Sequence, residues 1–196
     1  MFIELTDHLR CPAAHDESFV VLLPDEVVGR YVRAGQLGCP ACGKVYRVEG
    51  GVLDMGDAPP VAPDEAVPDA EALAALVGLG GPGGFLVLAG SAAARAADLV
   101  AALPGVHVAA VNPPAGVQDG AGVSVLRASR LPVRSASMRA VVLGAPFGAD
   151  EAWQREAARA VLPGLRVVGQ GGTPTVPGLA LLAEAEGWWV AQRVAR

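Results

Sequence analysis

Phe85-Leu86-Val87-Leu88-Ala89-Gly90-Ser91-Ala92-Ala93 is the stretch on which the fold turns. Four consecutive large apolar residues suit a strand buried on both faces, as in a parallel sheet. Ala89-Gly90-Ser91 reads as a turn, and residues 92–103 as a helix that stops at Pro104-Gly105. Working outward, His107–Val111 is a second strand, Val123–Leu126 a third and Ala140–Leu143 a fourth. Asp150 can cap a helix running to about Val161, and Leu165–Val168 follows as a fifth strand. Pro177 opens a last predicted helix ending at Gly187, and Trp188–Arg193 is a sixth strand. Upstream, Asp69 caps a helix over Ala70 to Val77 that glycines 78, 80 and 81 end. Apolar strands alternating with helices imply an α/β fold: a Rossmann-like three-layer sheet domain over residues 70–196.

Residues 56–69, with prolines at 59, 60, 63 and 68 and acids at 57, 64, 65 and 69, lack any apolar period. Proline removes amide donors and fixes φ, so this segment reads as an extended linker. Residues 1–55 form a separate, cysteine-bearing module. With 52% hydrophobic residues the chain can build a real core. A net charge of −5 argues against general nucleic-acid binding, which needs a positive surface to displace counterions. No apolar run reaches the ~20 residues a membrane span needs. The N-terminus has no basic segment followed by an apolar stretch, so a cytoplasmic location is expected.

All three cysteines fall in the first 42 residues, a pattern of metal binding rather than disulfides. Cys39-Pro40-Ala41-Cys42-Gly43 is a C-x2-C knuckle that can wrap two thiolates around one ion. Cys11 and His15 supply a second, closely spaced pair, giving a closed Cys3His structural zinc site. His8 competes with His15 as fourth ligand, and Asp16 is a weaker competitor. A redox pair is the alternative for the knuckle, but such pairs open a helix, whereas Gly43-Lys44-Val45-Tyr46 reads as a turn into a strand. A module this small would draw folding energy from its metal.

Two family resemblances follow from these residues. Leu5-Thr6-Asp7-His8-Leu9-Arg10-Cys11-Pro12, the knuckle through Tyr46, and Gly50-Gly51-Val52-Leu53-Asp54-Met55 resemble the zinc-ribbon activator subunit of tRNA, rRNA and release-factor methyltransferases. The departure is His15, where that family places a cysteine. The resemblance implies a structural zinc and a surface that binds a protein partner, a methyltransferase or translation-related factor. Residues 70–196 resemble class I S-adenosylmethionine-dependent methyltransferases, chiefly through Leu126 to Leu143, with Leu131-Pro132, and through Ala157 to Gly164.

That second resemblance implies a cofactor held at the first strand's glycine turn by Gly90 and Ser91, at the second strand's end by Asn112 and after the third by Arg127. The family places acids beside the turn, at Asn112 and at Arg127, and two further acid positions hold Ser135 and Arg139. A cation near an adenosyl sulfonium is unfavourable, so the usual S-adenosylmethionine pose is not expected. No cluster of titratable residues nominates a general base. The leading expectation is a zinc-binding protein with a degenerate, non-catalytic domain, a scaffold or modulator of a partner. One alternative is a methyltransferase with an altered cofactor site. Another uses Arg127, Arg130, Arg134 and Arg139, with Gly90-Ser91 at a helix start, to bind a phosphate-bearing ligand or RNA in the old cleft; against it, those arginines can pair with the acidic linker. Trp188-Trp189 is expected to bury one ring and expose the other. The chain ends just after this strand, so the family's antiparallel hairpin is expected to be truncated, leaving a sheet edge for a second subunit and a homodimer.

Overall fold

In the computed structural model, which describes residues 1–64 and 66–194, the first region is a β meander. β1 (Val21–Val28), β2 (Tyr31–Gly38), β3 (Val45–Glu49) and β4 (Val52–Asp54) pair antiparallel in order. Then come α1 (Ala70–Val77), β5 (Phe85–Ala89), a 3-10 turn at Gly90–Arg95 and α2 (Ala96–Ala102). β6 (His107–Val111), β7 (Val123–Arg127), β8 (Met138–Leu143), α3 (Glu151–Ala160), β9 (Val161–Gln170), β10 (Leu179–Ala185) and β11 (Trp188–Arg193) complete the chain. Asp69 caps α1 through the Ala72 amide, and Asp150 caps α3 through Ala152 and Trp153, as their sequence positions dictate.

All these strands lie in one sheet of order β1-β2-β3-β4-β7-β6-β5-β8-β9-β11-β10. From β4 to β9 the pairings are parallel. One face packs Leu86, Leu88, Val108 and Val142 under α1 and α2; the other packs Val87, Val111 and Val141 under α3 and the N-terminal 3-10 turn at Ile3–His8. The result is the expected Rossmann-like three-layer α/β fold.

Three expectations are corrected. The stretch after Pro177 is β10, not a helix. Its Ala, Leu and Glu residues are good helix formers, but propensity amounts to fractions of a kcal/mol per residue and backbone pairing with β11 overrides it. The closing antiparallel hairpin is therefore present rather than truncated, turning at Glu186-Gly187 and joining β9 through β11. Finally, both tryptophans are buried: Trp188 packs on the α1 and α2 face, while Trp189 lies fully inside on the other, over Gly169 where any side chain would overlap its ring.

The first region is part of the same sheet. β4 adds to β7 in parallel, with Leu53 opposite Leu126 and Asp54 opposite Arg127. Phe2 stacks on His107 at 3.9 Å and leans on Phe85. The Asp119 carboxylate is buried between the Met1 amine at 2.6 Å and Arg33 at 2.8 Å. Glu17 reaches Ser135 and Arg159, and Arg10 reaches Glu156. Burial alone would raise the Glu17 carboxyl, but the Ser135 hydroxyl and amide, with Arg159 and Arg10, hold it below the ordinary carboxylate value. No helix among the described residues is long and apolar enough to cross a membrane.

Truncating Trp189 to alanine should lower unfolding stability by about 3–5 kcal/mol, read as a shifted urea midpoint. Because the folded-state pKa of Glu17 is depressed, its stabilising link is present above about pH 4.5 and disappears as pH falls through the folded value. Melting temperature plotted against pH should therefore lose part of its acid limb in Glu17→Gln, and an unaltered limb would exclude this link.

Candidate metal centre and strand-end crevice

The metal candidate is built by two loops brought together by the meander. Cys39 and Cys42 sit in the β2–β3 turn, closed by Gly43 at φ 70° and by the Gly43 amide bonding to the Cys39 carbonyl at 2.9 Å. Cys11 follows the N-terminal turn, and its amide bonds to the Ser18 carbonyl at 2.9 Å, holding the loop that carries His15. The four ligand atoms of Cys11, His15, Cys39 and Cys42 lie within 4.8 Å of one another. Cys11 Sγ is 3.8 Å from Cys42 Sγ, and Cys39 Sγ is 3.5 Å from His15 Nε2. Two thiolates bound ~2.3 Å from one tetrahedral ion lie roughly 3.8 Å apart, so the donor set fits zinc.

The surroundings support that assignment. His15 Nδ1 is 2.6 Å from the Asp16 carbonyl, an acceptor only, so Nδ1 carries the hydrogen and donates, leaving the Nε2 lone pair for a metal. Of the competitors, Asp16 contributes this backbone oxygen, and His8 packs on Phe85 at 4.8 Å between rings. Tyr46, not foreseen from the sequence, places its hydroxyl 3.0 Å from Cys11 Sγ. Burial works against ionising Cys39, yet the Cys42 and Ala41 amides and the neighbouring thiols outweigh it and bring the thiol to about 6. Cys11, more enclosed, is pushed up by burial.

The second candidate is the crevice at the carboxyl ends of β5 to β9, where open α/β sheets bind ligands. Here the expected cofactor residues bond to their own chain. At Gly90, φ 67°, an added side chain would strike the Ala145 carbonyl, which instead accepts the Ser91 amide at 2.9 Å. Ser91 is fully buried, and its hydroxyl donates to Gln170 Oε1 at 3.2 Å. Asn112 is 3% exposed, and both ends of its amide are taken: Nδ2 donates to the Ala128 carbonyl at 2.7 Å, and Oδ1 accepts the Ala128 amide at 2.9 Å. Arg127 is exposed and lines a separate groove of about 670 Å³ against β3 and β4, with Lys44, Arg47, Asp54 and Asp57.

The proline-rich segment spans this crevice. The Met55 amide bonds to the Arg127 carbonyl at the end of β7. Further along, Asp64 accepts from Gln170 Nε2 at 2.6 Å at the end of β9, and the Ala66 carbonyl accepts from Trp188. Since β6, β5 and β8 lie between β7 and β9, the strap crosses their carboxyl ends. Sequence alone offered no signal for Gln170, which joins Asp64, Ser91 and the Ala145 amide.

The arginine cluster is also corrected. Arg127 ends β7 and Arg139 sits near the start of β8; these strands run parallel, so the two residues occupy opposite ends of the sheet. Close spacing in sequence did not survive a connection that crosses the whole layer. Among the described residues, none of Arg127, Arg130, Arg134 and Arg139 forms an ion pair with the linker, and Glu65 lies outside the described residues.

No family model matches the chain, and no curated protein matches it. Among solved structures, it is similar to geranyl diphosphate methyltransferase in complex with GPP and sinefungin (22% identity, 50% of this chain and 42% of that one, TM-score 0.42). It is similar to a SAM-dependent methyltransferase from Aquifex aeolicus (15% identity, 66% and 92%, TM-score 0.48). It is also similar to the antibiotic-resistance methyltransferase Kmr (13% identity, 70% and 98%, TM-score 0.44). The match spans under half the length of the geranyl diphosphate enzyme.

Metal analysis of the purified protein should find about one zinc per chain, the single tetrahedral site that Cys3His ligation makes. His15→Ala should lower that content and His8→Ala leave it unchanged; the reverse pattern would refute the ligand set. Asn112→Ala should cost about 2–4 kcal/mol by leaving a buried amide and carbonyl unpaired, measured by chemical denaturation.

Proposed function

We propose that this chain is a zinc-stabilised, non-catalytic protein on a methyltransferase-like framework, serving as a scaffold or modulator of a protein partner. The observation that carries this reading is the Asn112–Ala128 pair. The side chain at the ribose position is buried and neutral and holds the Ala128 amide and carbonyl, so a sugar would meet an enclosed carboxamide with one N–H and one lone pair left instead of an open carboxylate. Ser91 and the strap across the strand ends point the same way: these groups bond to one another and need no cofactor to satisfy them. Zinc, in this reading, fixes the β2–β3 turn to the Cys11 loop and so sets the meander that ends in β4.

The ribbon acts on its own chain through β4, which covers the β7 edge. A partner, whether a methyltransferase, a translation-related factor or a second copy, would then use other surfaces. At one outer edge β1 carries Pro24, Asp25 and Glu26 and register shifts, features that discourage strand pairing. At the other edge β10 exposes Leu181 and Leu182.

Titration calorimetry of the zinc-loaded, full-length protein with S-adenosylmethionine tests the non-catalytic reading. No saturable heat is expected up to about 1 mM ligand, a bound of roughly −4 kcal/mol. Micromolar binding would sink the proposal and support a methyltransferase with an altered cofactor site.

A further inference from the structure

At the end of the sheet opposite the strap, a groove of about 600 Å³ opens between the N-terminal turn and the connection into β8. His8, Phe85, Arg134, Ser137, Arg139 and Leu162 line it, with Asp7 as the single acid among its lining residues. Its size suits a small molecule. It shares no lining residue with the crevice described above, so it stands independently of the non-catalytic reading.

Two features make this groove more than a gap. Arg134 and Arg139, like Arg95, Arg127, Arg130, Arg166 and Arg193, have no carboxylate partner within ion-pair distance among the described residues, and these two line the same groove. Arg134 Nη1 only touches the Asp7 carbonyl at 3.2 Å. Arg139 donates to the carbonyls of Gly80, Gly81, Pro82 and Gly83 at 2.6, 3.0, 3.1 and 2.5 Å, contacts that orient the guanidinium and bring no negative charge to it. Gly84 makes room for this, since a Cβ there would sit 2.7 Å from Arg139 Cδ.

The walls are also fixed in advance. The Arg134 amide bonds to the His8 carbonyl at 2.8 Å, and the Ala136 and Ser137 amides bond to the Arg159 and Ala160 carbonyls, each at 2.9 Å. Ser137 Oγ donates to the Arg134 carbonyl at 2.7 Å. Two guanidinium groups without a carboxylate partner, Arg139 oriented by loop carbonyls and Arg134 exposed on a hydrogen-bonded backbone, match a dianionic oxygen cluster, which accepts charge-assisted hydrogen bonds from both. We propose that this groove is a binding site for a small phosphate monoester, its phosphoryl group between Arg134 and Arg139 and its body over Phe85 and Leu162.

The test uses the full chain and calorimetry with inorganic phosphate, adenosine monophosphate, adenosine and a single-stranded RNA oligomer. Saturable binding of the monophosphate, with adenosine silent, is expected; inorganic phosphate should bind more weakly at the same site and compete. Arg134→Gln should weaken the monophosphate by about tenfold or more, while Arg130→Gln, outside the groove, leaves it unchanged. Arg139→Gln removes the bonds to the 80–83 loop and can unfold that corner, so Arg134 is the informative position, with circular dichroism confirming the fold. Absence of saturable binding, equal loss in both arginine variants, or binding that tracks only a single-stranded RNA oligomer would overturn the assignment.

Discussion

The parallel pairing of β4 with β7 is the constraint on which the rest of this molecule depends. An edge strand of a parallel sheet has unpaired amides and carbonyls, and β7 would be such an edge without the ribbon. Leu53 against Leu126 and Asp54 against Arg127 satisfy those groups and carry the meander into the sheet. The pairing also decides where the chain goes next. Because β4 runs parallel to β7, it delivers Met55 to the carboxyl ends of the strands, and α1 is reached only by crossing them.

That crossing gives the proline-rich segment a role its composition did not advertise. Its prolines, three of them exposed, fix φ and keep the segment extended. The remaining polar groups then serve the crevice: Asp64 on Gln170, the Ala66 carbonyl on Trp188. Gln170 passes the contact inward to Ser91 and Ala145. A region that in an open α/β sheet receives a ligand is here held by side chains of the same chain.

The Cys3His cluster and the hydrophobic seam act on the same joint from two sides. The thiol and imidazole cluster ties the β2–β3 turn to the loop after Cys11. Phe2, Leu5 and Leu9, which precede that loop, are buried in the same core as Val87, Val111 and Leu126. The thiol and imidazole cluster and the sheet packing are thus mechanically continuous, and loosening the cluster would be felt at the Phe2–His107 stack and the Glu17–Ser135 contact.

Much of this was determined by the sequence alone. The apolar runs 85–88, 107–111, 123–126 and 140–143 became parallel strands because each is buried on both faces, and Asp69 and Asp150 capped the helices they precede. Cys11, His15, Cys39 and Cys42 were legible because tetrahedral ligation demands two closely spaced pairs of soft donors. Tertiary structure decided what local pattern does not encode. Residues 179–185 became a strand because β11 supplied hydrogen-bond partners that outweighed the local helical preference of Ala, Leu and Glu. Tertiary structure brings His15, the ligand favoured from the sequence, to the three thiols and lays its competitor His8 against Phe85. The separation of Arg127 from Arg139, and the closure of Asn112 onto Ala128, follow from how parallel strands are stacked and connected, a long-range geometry that spacing along the chain cannot reveal.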